Sequence, residues 1–206
     1  MVLWEDRELV VCRKPAGVVS EEGGMPELLK EETGAREIFC VHRLDRETAG
    51  LMVYARTKRA AAALSAAIEA GRMTKRYLAV VQGTTPREGE MRDLLFRDRA
   101  KNKSYVVKRM RKGVREALLR YETLQQLPGF SLVRVELLTG RIHQICVQFA
   151  SRGFPLLGDG RYGGARRELP LALYSAELSF PHPLSGELLQ FSSPPPEEEP
   201  WSWFSR

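Results

Sequence analysis

The order of the strand-like and helical segments is the feature that most restricts the fold. Short apolar or alternating segments typical of strands outnumber the helical ones and rarely alternate with them. The clearest pair covers residues 116–124 and 130–138, and a Leu-Pro-Gly turn at 127–129 joins them as a hairpin. This order predicts an α+β fold with a central, largely antiparallel mixed sheet and flanking helices, rather than a doubly wound fold.

The strongest helical pattern covers residues 57–71. Thr57 is a typical N-cap, Gly71 is a typical residue just past the helix end, and the Ala-rich run between them has one apolar face. Shorter helices are predicted over 25–33 and 142–151. The aromatic residues at 201–204 are expected to pack the C-terminal tail on the core.

The length of the chain indicates how large a core it can bury, and its charge indicates the kind of partner it can bind. The 206 residues are 43% hydrophobic, so the chain can bury a core, as one large domain or two small ones. The formal net charge is +6 and the pI is about 9.4, which favours a polyanionic partner without establishing one, because many basic proteins bind no nucleic acid. Oligomeric state is not encoded in these patterns, and a monomer is the default expectation.

Cysteine and histidine usage predicts a reduced, cytoplasmic protein that needs no metal. The cysteines are Cys12, Cys40 and Cys146, an odd set without a close pair. The histidines are His42, His143 and His182, which are scattered along the chain. Charged residues at 5–8 argue against a signal peptide, and no apolar run approaches about 20 residues, so no membrane partner is expected.

A polar segment between two apolar, strand-like runs is the candidate functional loop. It covers residues 42–51, and the flanking runs cover 37–41 and 51–55. Such a loop can hold side chains over a cleft, and Asp45 is its candidate catalytic carboxylate. The alternative is that Asp45 pairs locally with Arg43 or Arg46 in a solvated turn.

A cationic stretch covers residues 97–115. It contains nine Lys and Arg residues against Asp98 as the single acid, with a β-like Tyr105-Val106-Val107 in the middle. Two interpretations are open. The stretch is either a solvated edge hairpin whose cations prevent aggregation, or a surface that contacts phosphates.

Several short motifs together resemble the RluA-type pseudouridine synthase family. They are Lys14-Pro15-Ala16-Gly17, His42-Arg43-Leu44-Asp45 with Thr48 and Gly50, Lys75-Arg76-Tyr77 with Gly83, Thr139-Gly140-Arg141-Ile142-His143-Gln144-Ile145, Gly158-Asp159 with Tyr162-Gly163, and Phe180-Pro181-His182-Pro183. Each motif is weak alone, but their order matches the family's over nearly the whole chain. The resemblance implies one catalytic domain over 1–206, and no S4-type RNA-binding domain is expected.

The resemblance implies isomerisation of uridine to pseudouridine in rRNA or tRNA, without a cofactor. Asp45 would be the catalytic carboxylate, acting on a uridine flipped out of its stack. Arg43 would fill the vacated space, and Tyr77 would pack on the target base and offer a hydroxyl for proton transfer. His42, Lys75 and Arg141 are expected RNA contacts.

Each of these roles has a structural alternative. Tyr77 could be a core aromatic residue of a strand, Arg43 could pair with Asp45 or Glu47, and His42 could bond to backbone. A carboxylate-dependent glycoside hydrolase is a remote third possibility, because no second acid is placed to pair with Asp45.

One position departs from the family pattern. The family's motif ends in an Arg that pairs with the catalytic Asp, and this chain has Cys146 there. Loss of that positive charge would raise the pKa of Asp45 by roughly 1–3 units if the pairing was close. The expected consequences are a slower enzyme, substitution by a nearby Arg such as Arg141, or an inactive relative that only binds RNA.

Overall fold

The structure, a computed structural model, describes residues 1–165 and 168–204. The described elements are, in chain order, β1 (Val2–Glu5), β2 (Leu9–Lys14), α1 (Met25–Thr33), β3 (Phe39–Cys40), β4 (Ala49–Ala55), α2 (Lys58–Glu69), β5 (Thr74–Gln82), β6 (Glu88–Asp98), β7 (Lys103–Val107), β8 (Val114–Leu127), β9 (Phe130–Leu137), α3 (Gln144–Ala150), β10 (Leu173–Pro181), β11 (Leu188–Ser192) and a 3₁₀ turn (Trp201–Phe204).

The chain divides into two compact units. The first unit comprises Met1–Lys75 and Tyr174–Pro194, and the second comprises Arg76–Leu173 and Pro195–Arg206. The prediction of one catalytic domain over 1–206 therefore stays a prediction about the functional unit.

The first unit is built on a mixed sheet in the order β1-β2-β4-β10, with β3 also beside β4 and β11 beside β10. All its pairings are antiparallel except that of β4 with β10. Its core lies between apolar residues of β2, β4 and β10 and the face of α2 that carries Ala60 and Leu64. As predicted, Thr57 caps α2, because its hydroxyl accepts the Ala60 N–H at 3.1 Å.

The second unit contains a fully antiparallel sheet in the order β5-β9-β8-β6-β7. The predicted hairpin is present as β8 and β9. Strand β6 was not predicted, because its sequence mixes charged and apolar residues without a clear period. Its exposed charges are instead satisfied across strands, as between Arg92 and Glu116 at 2.9 Å.

The C-terminal tail packs on the second unit, as predicted. Trp203 lies 5.6 Å from the ring of Phe130, and Phe204 joins a buried cluster with Val80, Leu157 and Ala172. None of the helices in the described part of the chain is long and apolar enough to span a membrane. The predicted α+β class with largely antiparallel sheet is confirmed.

Candidate active site

The segment that carries Asp45 is fixed at its C-terminal end by β4. Thr48 is buried, and its N–H donates to the Asp45 carbonyl at 2.9 Å, which closes a tight turn. Gly50 follows at φ +117, where a Cβ would overlap the backbone oxygen of Ser175 on β10. A glycine is therefore required where the loop enters the sheet, since both the dihedral and the close approach exclude a side chain.

The charged neighbours of Asp45 are engaged elsewhere. Arg43 forms an exposed ion pair with Glu21 at 2.9 Å, and the Arg46 Nε donates to the Gly17 carbonyl at 2.8 Å. Among the described residues of the first unit, no donor lies within hydrogen-bond distance of the half-buried Asp45 carboxylate. The local ion pair with Arg43 or Arg46 is therefore not formed, and the carboxylate is available for chemistry.

Lys14 supports the loop that carries Asp45 through hydrogen bonds to backbone carbonyls. Its side chain is fully buried, and its ammonium group donates to the carbonyls of Pro15 (2.9 Å), Val18 (2.7 Å) and Arg46 (3.0 Å). All three of its donors are thus used. Burial lowers the pKa of Lys14 to about 8, while the negative charges of Glu47 and Asp45 oppose that shift. The sequence singled out Lys14 only as part of a turn motif, because a lysine gives no local sign that it will be buried.

His42 anchors the start of the loop to β4. Its Nε2 accepts the Val53 N–H at 3.1 Å, so the ring is neutral with its proton on Nδ1, an atom that bonds to none of the described residues. Only 8% of the residue is exposed. Burial, and secondarily the charge of Lys75, lowers the pKa of His42 to about 3. This geometry is the backbone-bonding alternative, and the RNA contact of His42 stays a prediction.

The buried His42 is expected to make the fold sensitive to acid. Between pH 6.5 and 3 the unfolded chain binds a proton that the folded chain does not, because the pKa is 6.5 when unfolded and about 3 when folded. The free energy of unfolding should therefore fall by about 1.4 kcal/mol for each unit that the pH is lowered in this range. His42→Gln keeps an acceptor for the Val53 N–H and removes the titration. Urea unfolding of both proteins between pH 6.5 and about 4.5 checks this, and equal slopes would contradict it.

Two further predicted site residues lie on β5. Lys75 ends the first unit, and burial lowers the pKa of its ammonium group. Tyr77 belongs to the second unit, where it pairs with Val135 of β9 and is 4% exposed. Burial agrees with a strand aromatic residue, and its predicted role on the target base stays a prediction.

The segment Thr139–Cys146 is organised by Gln144 in the second unit. The Gln144 amide oxygen accepts from the Thr139 hydroxyl and the Arg141 N–H, both at 2.9 Å, and its amide nitrogen donates to the Leu118 carbonyl at 3.1 Å. Arg141 is exposed, and its Nε donates to the Glu116 carbonyl at 2.9 Å. The guanidinium is therefore held at the surface by β8, in a position suited to contact an anion.

Cys146 lies in α3, where all residues from Gln144 to Phe149 are buried. It is 4% exposed, so its side chain packs within the protein. His143 precedes the helix with a left-handed φ of 54, and its Nδ1 lies 3.0 Å from the hydroxyl of Tyr162. The sequence did not predict this His143–Tyr162 contact, since the two residues come from separate motifs.

The structure thus distributes the predicted site residues over both units. The first unit holds His42, Arg43, Asp45 and Lys75, and the second holds Tyr77, Arg141 and Cys146. Within the first unit, Asp45 combines partial exposure with the buried cation of Lys14 nearby. An accessible carboxylate with this support can act as a nucleophile, stabilise a cation or transfer a proton.

Comparison with known proteins defines the class. The family model for RNA pseudouridylate synthase matches residues 8–151, which is more than half of the chain. That match places the molecule among enzymes that modify RNA by isomerisation. The chain belongs to the RNA pseudouridylate synthase family, as its sequence motifs predicted.

Relatives and solved structures agree with this family. The "Ribosomal large subunit pseudouridine synthase D" of Xanthomonas campestris is 34% identical over 96% of this chain and 66% of its own length. The "Uncharacterized RNA pseudouridine synthase YlyB" of Bacillus subtilis is 31% identical over 96% of this chain and 69% of its own. The chain therefore spans about two thirds of these relatives. "Human RNA Pseudouridylate Synthase Domain Containing 4" has the same fold, with a TM-score of 0.80, 24% identity and coverage of 95% and 88% of the two chains.

Proposed function

We propose that the protein converts specific uridines of structured RNA to pseudouridine, with Asp45 as the catalytic carboxylate. The observation that carries this proposal is that the Asp45 side chain is partly exposed and is not paired with its neighbouring arginines. Asp45 lies half-exposed in the family's signature loop, while Arg43 and Arg46 bond to Glu21 and Gly17 instead. Buried contacts around the loop fix its position, and the Asp45 carboxylate stays accessible because it forms no ion pair with Arg43 or Arg46.

The reaction breaks the N-glycosidic bond, turns the uracil and joins its carbon to the sugar. Each atom of the substrate is kept, and the family resemblance implies that the reaction needs no cofactor or metal. The Asp45 carboxylate either attacks covalently, at the base or at the sugar, or stabilises the developing cationic sugar and moves a proton. Either route needs an accessible, oriented carboxylate, which is what the turn at Asp45 and Thr48 provides.

The target uridine must leave its stack before a carboxylate can reach it. Arg43 is suited to fill the vacated space, because its ion pair with Glu21 is exposed and such pairs are worth only about 0–1 kcal/mol. Tyr77 would pack on the extruded base and offer its hydroxyl for proton transfer, with Lys75, Arg141 and His42 in supporting contacts to RNA.

The proposed substrates are rRNA, tRNA or both. The relative from Xanthomonas campestris is named for the large ribosomal subunit, which favours rRNA for this chain as well. The basic composition suits a phosphate-rich partner. We propose a monomer that works in the cytoplasm with reduced thiols, in keeping with its three free cysteines.

The experiment is to incubate the protein with total RNA from a strain that lacks its gene, and to map the new pseudouridines. New sites at defined uridines, present with the native chain and absent with Asp45→Asn, are the expected result. RNA that is bound but never modified would instead support the alternative function, a catalytically impaired RNA-binding relative, which Cys146 favours.

Restoring the family's charge at position 146 tests that alternative. Cys146→Arg is expected to speed pseudouridine formation, because the family resemblance implies that an Arg at this position pairs with the catalytic Asp, and an opposite charge stabilises an ionised carboxylate. Cys146→Ser adds no charge and is the matched control. Equal rates of pseudouridine formation in the Arg and Ser variants, or no activity in any of the three proteins, would contradict the electrostatic account.

A further inference from the structure

The positive charge of this protein is concentrated in one segment. Residues 97–115 carry nine cations and one acid, a net charge of +8, whereas the whole chain carries +6, so the other 187 residues are net negative by two. The polyanion-binding character inferred from composition therefore depends on these 19 residues. Protection of a sheet edge against aggregation requires only a few charges, so it does not by itself account for nine.

The structure places the segment on the outer edge of the second unit's sheet. Strand β7 is the last in the order, and among the described residues it pairs only with β6, from Leu94 opposite Val107 to Asp98 opposite Lys103. The turn before β7 and the loop after it are exposed. We call the cations of this region the basic edge: Arg97, Arg99, Lys101, Lys103, Lys108, Arg109, Arg111, Lys112, Arg115 and Arg161 of the adjoining loop.

Cations of the basic edge differ from those on the neighbouring strands. Between β6 and β8, Arg92 pairs with Glu116 at 2.9 Å and Arg120 with Glu90 at 3.0 Å, so those charges are neutralised. In contrast, the side chains of Lys101, Arg109 and Lys112 make no hydrogen bond or ion pair within the described part of the second unit. Their charge is available to an external anion.

The turn is held in a fixed position by contacts with two other segments. Lys103 Nζ donates to the Arg161 carbonyl at 2.7 Å, and the Arg161 guanidinium donates to the Asn102 carbonyl. Ser104 donates its N–H to the Tyr162 hydroxyl at 2.8 Å and its hydroxyl to the Ile142 carbonyl at 2.7 Å. The basic edge is thus attached to the segment that carries Arg141, and a preorganised surface loses less entropy on binding.

Aromatic rings next to the basic edge form cation–π contacts with its own cations. Lys103 Nζ lies 4.9 Å from the Tyr162 ring and 5.8 Å from the Tyr105 ring, and Arg111 lies 5.0 Å from the Phe96 ring. Proteins that bind single strands usually stack bases on exposed aromatic rings. Rings covered in this way favour contact with the phosphate backbone, as in recognition of an RNA helix by shape.

We propose that the basic edge binds the phosphate backbone of a helical RNA segment outside the catalytic loop, and so supplies affinity without sequence preference. The inference rests on the proposed function for the nature of the ligand, since a uridine-modifying enzyme must hold structured RNA. The residues of the loop at 42–51 would then position the target uridine, while most of the salt-sensitive affinity would come from this edge.

The test is a charge-neutralised variant, Lys101→Gln/Arg109→Gln/Lys112→Gln, assayed on an RNA duplex that contains no uridine. The duplex cannot be a substrate, so its binding is measured independently of catalysis. We expect affinity at moderate salt to fall about tenfold or more, and the slope of log affinity against log salt to drop by about two to three. The matched control, Lys30→Gln/Lys58→Gln/Arg72→Gln, removes the same charge from exposed positions in or next to α1 and α2 and should change affinity far less.

Duplex binding and pseudouridine formation, measured together, distinguish this inference from the proposed function. Equal affinity and equal salt slope in the native chain and the basic-edge variant would overturn this inference, even if the native chain makes pseudouridine. Loss of duplex binding in the variant, together with no pseudouridine from the native chain, would leave the inference standing and refute the proposed function. Equal losses in the variant and the control would mean that only net charge matters, which would also overturn it. A single-stranded oligoadenosine bound better than the duplex would refute helix recognition.

Discussion

Asp45→Asn is expected to lower the rate of pseudouridine formation by about 10³-fold or more, because the amide can neither attack nor carry the negative charge that the reaction needs. The substitution is nearly isosteric. Within the first unit the Asp45 carboxylate has no hydrogen-bond partner among the described residues, so Asn should leave the free energy of unfolding within about 0.5 kcal/mol of the native value. Single-turnover assays on RNA with a mapped target uridine measure the effect.

The same variant should bind RNA with nearly native affinity, because the cations of the basic edge are untouched. Glu47→Gln is the matched control, since it removes an exposed carboxylate two positions away in the same loop. A rate for Asp45→Asn within tenfold of the native rate would refute the catalytic assignment. A parallel loss of RNA affinity would contradict the separation of catalysis from binding.

Lys14→Met is expected to lower the free energy of unfolding by about 3–5 kcal/mol, because three backbone carbonyls lose their donor inside the protein. The methionine side chain is apolar and about as long as the aliphatic stem of lysine. The loss of stability therefore reports the hydrogen bonds rather than the packing. The Arg46 carbonyl adjoins Asp45, so pseudouridine formation should slow as well. Urea unfolding and single-turnover rates measure the two effects.

Arg13→Met is the control for Lys14→Met. It changes the preceding residue of β2, whose side chain is exposed, and should alter stability by no more than about 0.5 kcal/mol. Similar losses in the two variants would show that β2 tolerates no substitution there and would remove the special role of Lys14. A stable Lys14→Met protein with native activity would show that the loop holds its shape without the buried ammonium group.

These two substitutions separate the chemistry of the loop from its support. Asp45 is presented by a turn closed through Thr48, and Gly50 lets the chain pass close to Ser175. His42 and Lys14 attach the two sides of the loop to β4 and to the turn after β2, both through backbone groups. Because these supports bond to backbone, they fix the position of the loop and leave its exposed side chains open to RNA.

Local patterns were sufficient for most elements of the fold. Helix α1 was predicted with its observed bounds, Met25–Thr33, and α2 and the β8–β9 hairpin were also found, because caps, turn residues and periodicity are written in short stretches of sequence. Strands β1 and β6 were missed. Their residues are satisfied by partners distant in sequence, as with Arg92 and Glu116, so no local period marks them.

By itself, the sequence determined the class of fold and the family, and it supplied the proposed site residues, because an ordered set of motifs and a dense run of cations are properties of the chain alone. Only the tertiary structure decided how those residues are used. It buried Lys14 and His42 as supports and turned Arg43 to Glu21. It also placed the cations of residues 97–115 on an open sheet edge. The physical reason is that burial and pairing depend on neighbours brought together by folding, often more than twenty residues apart in sequence.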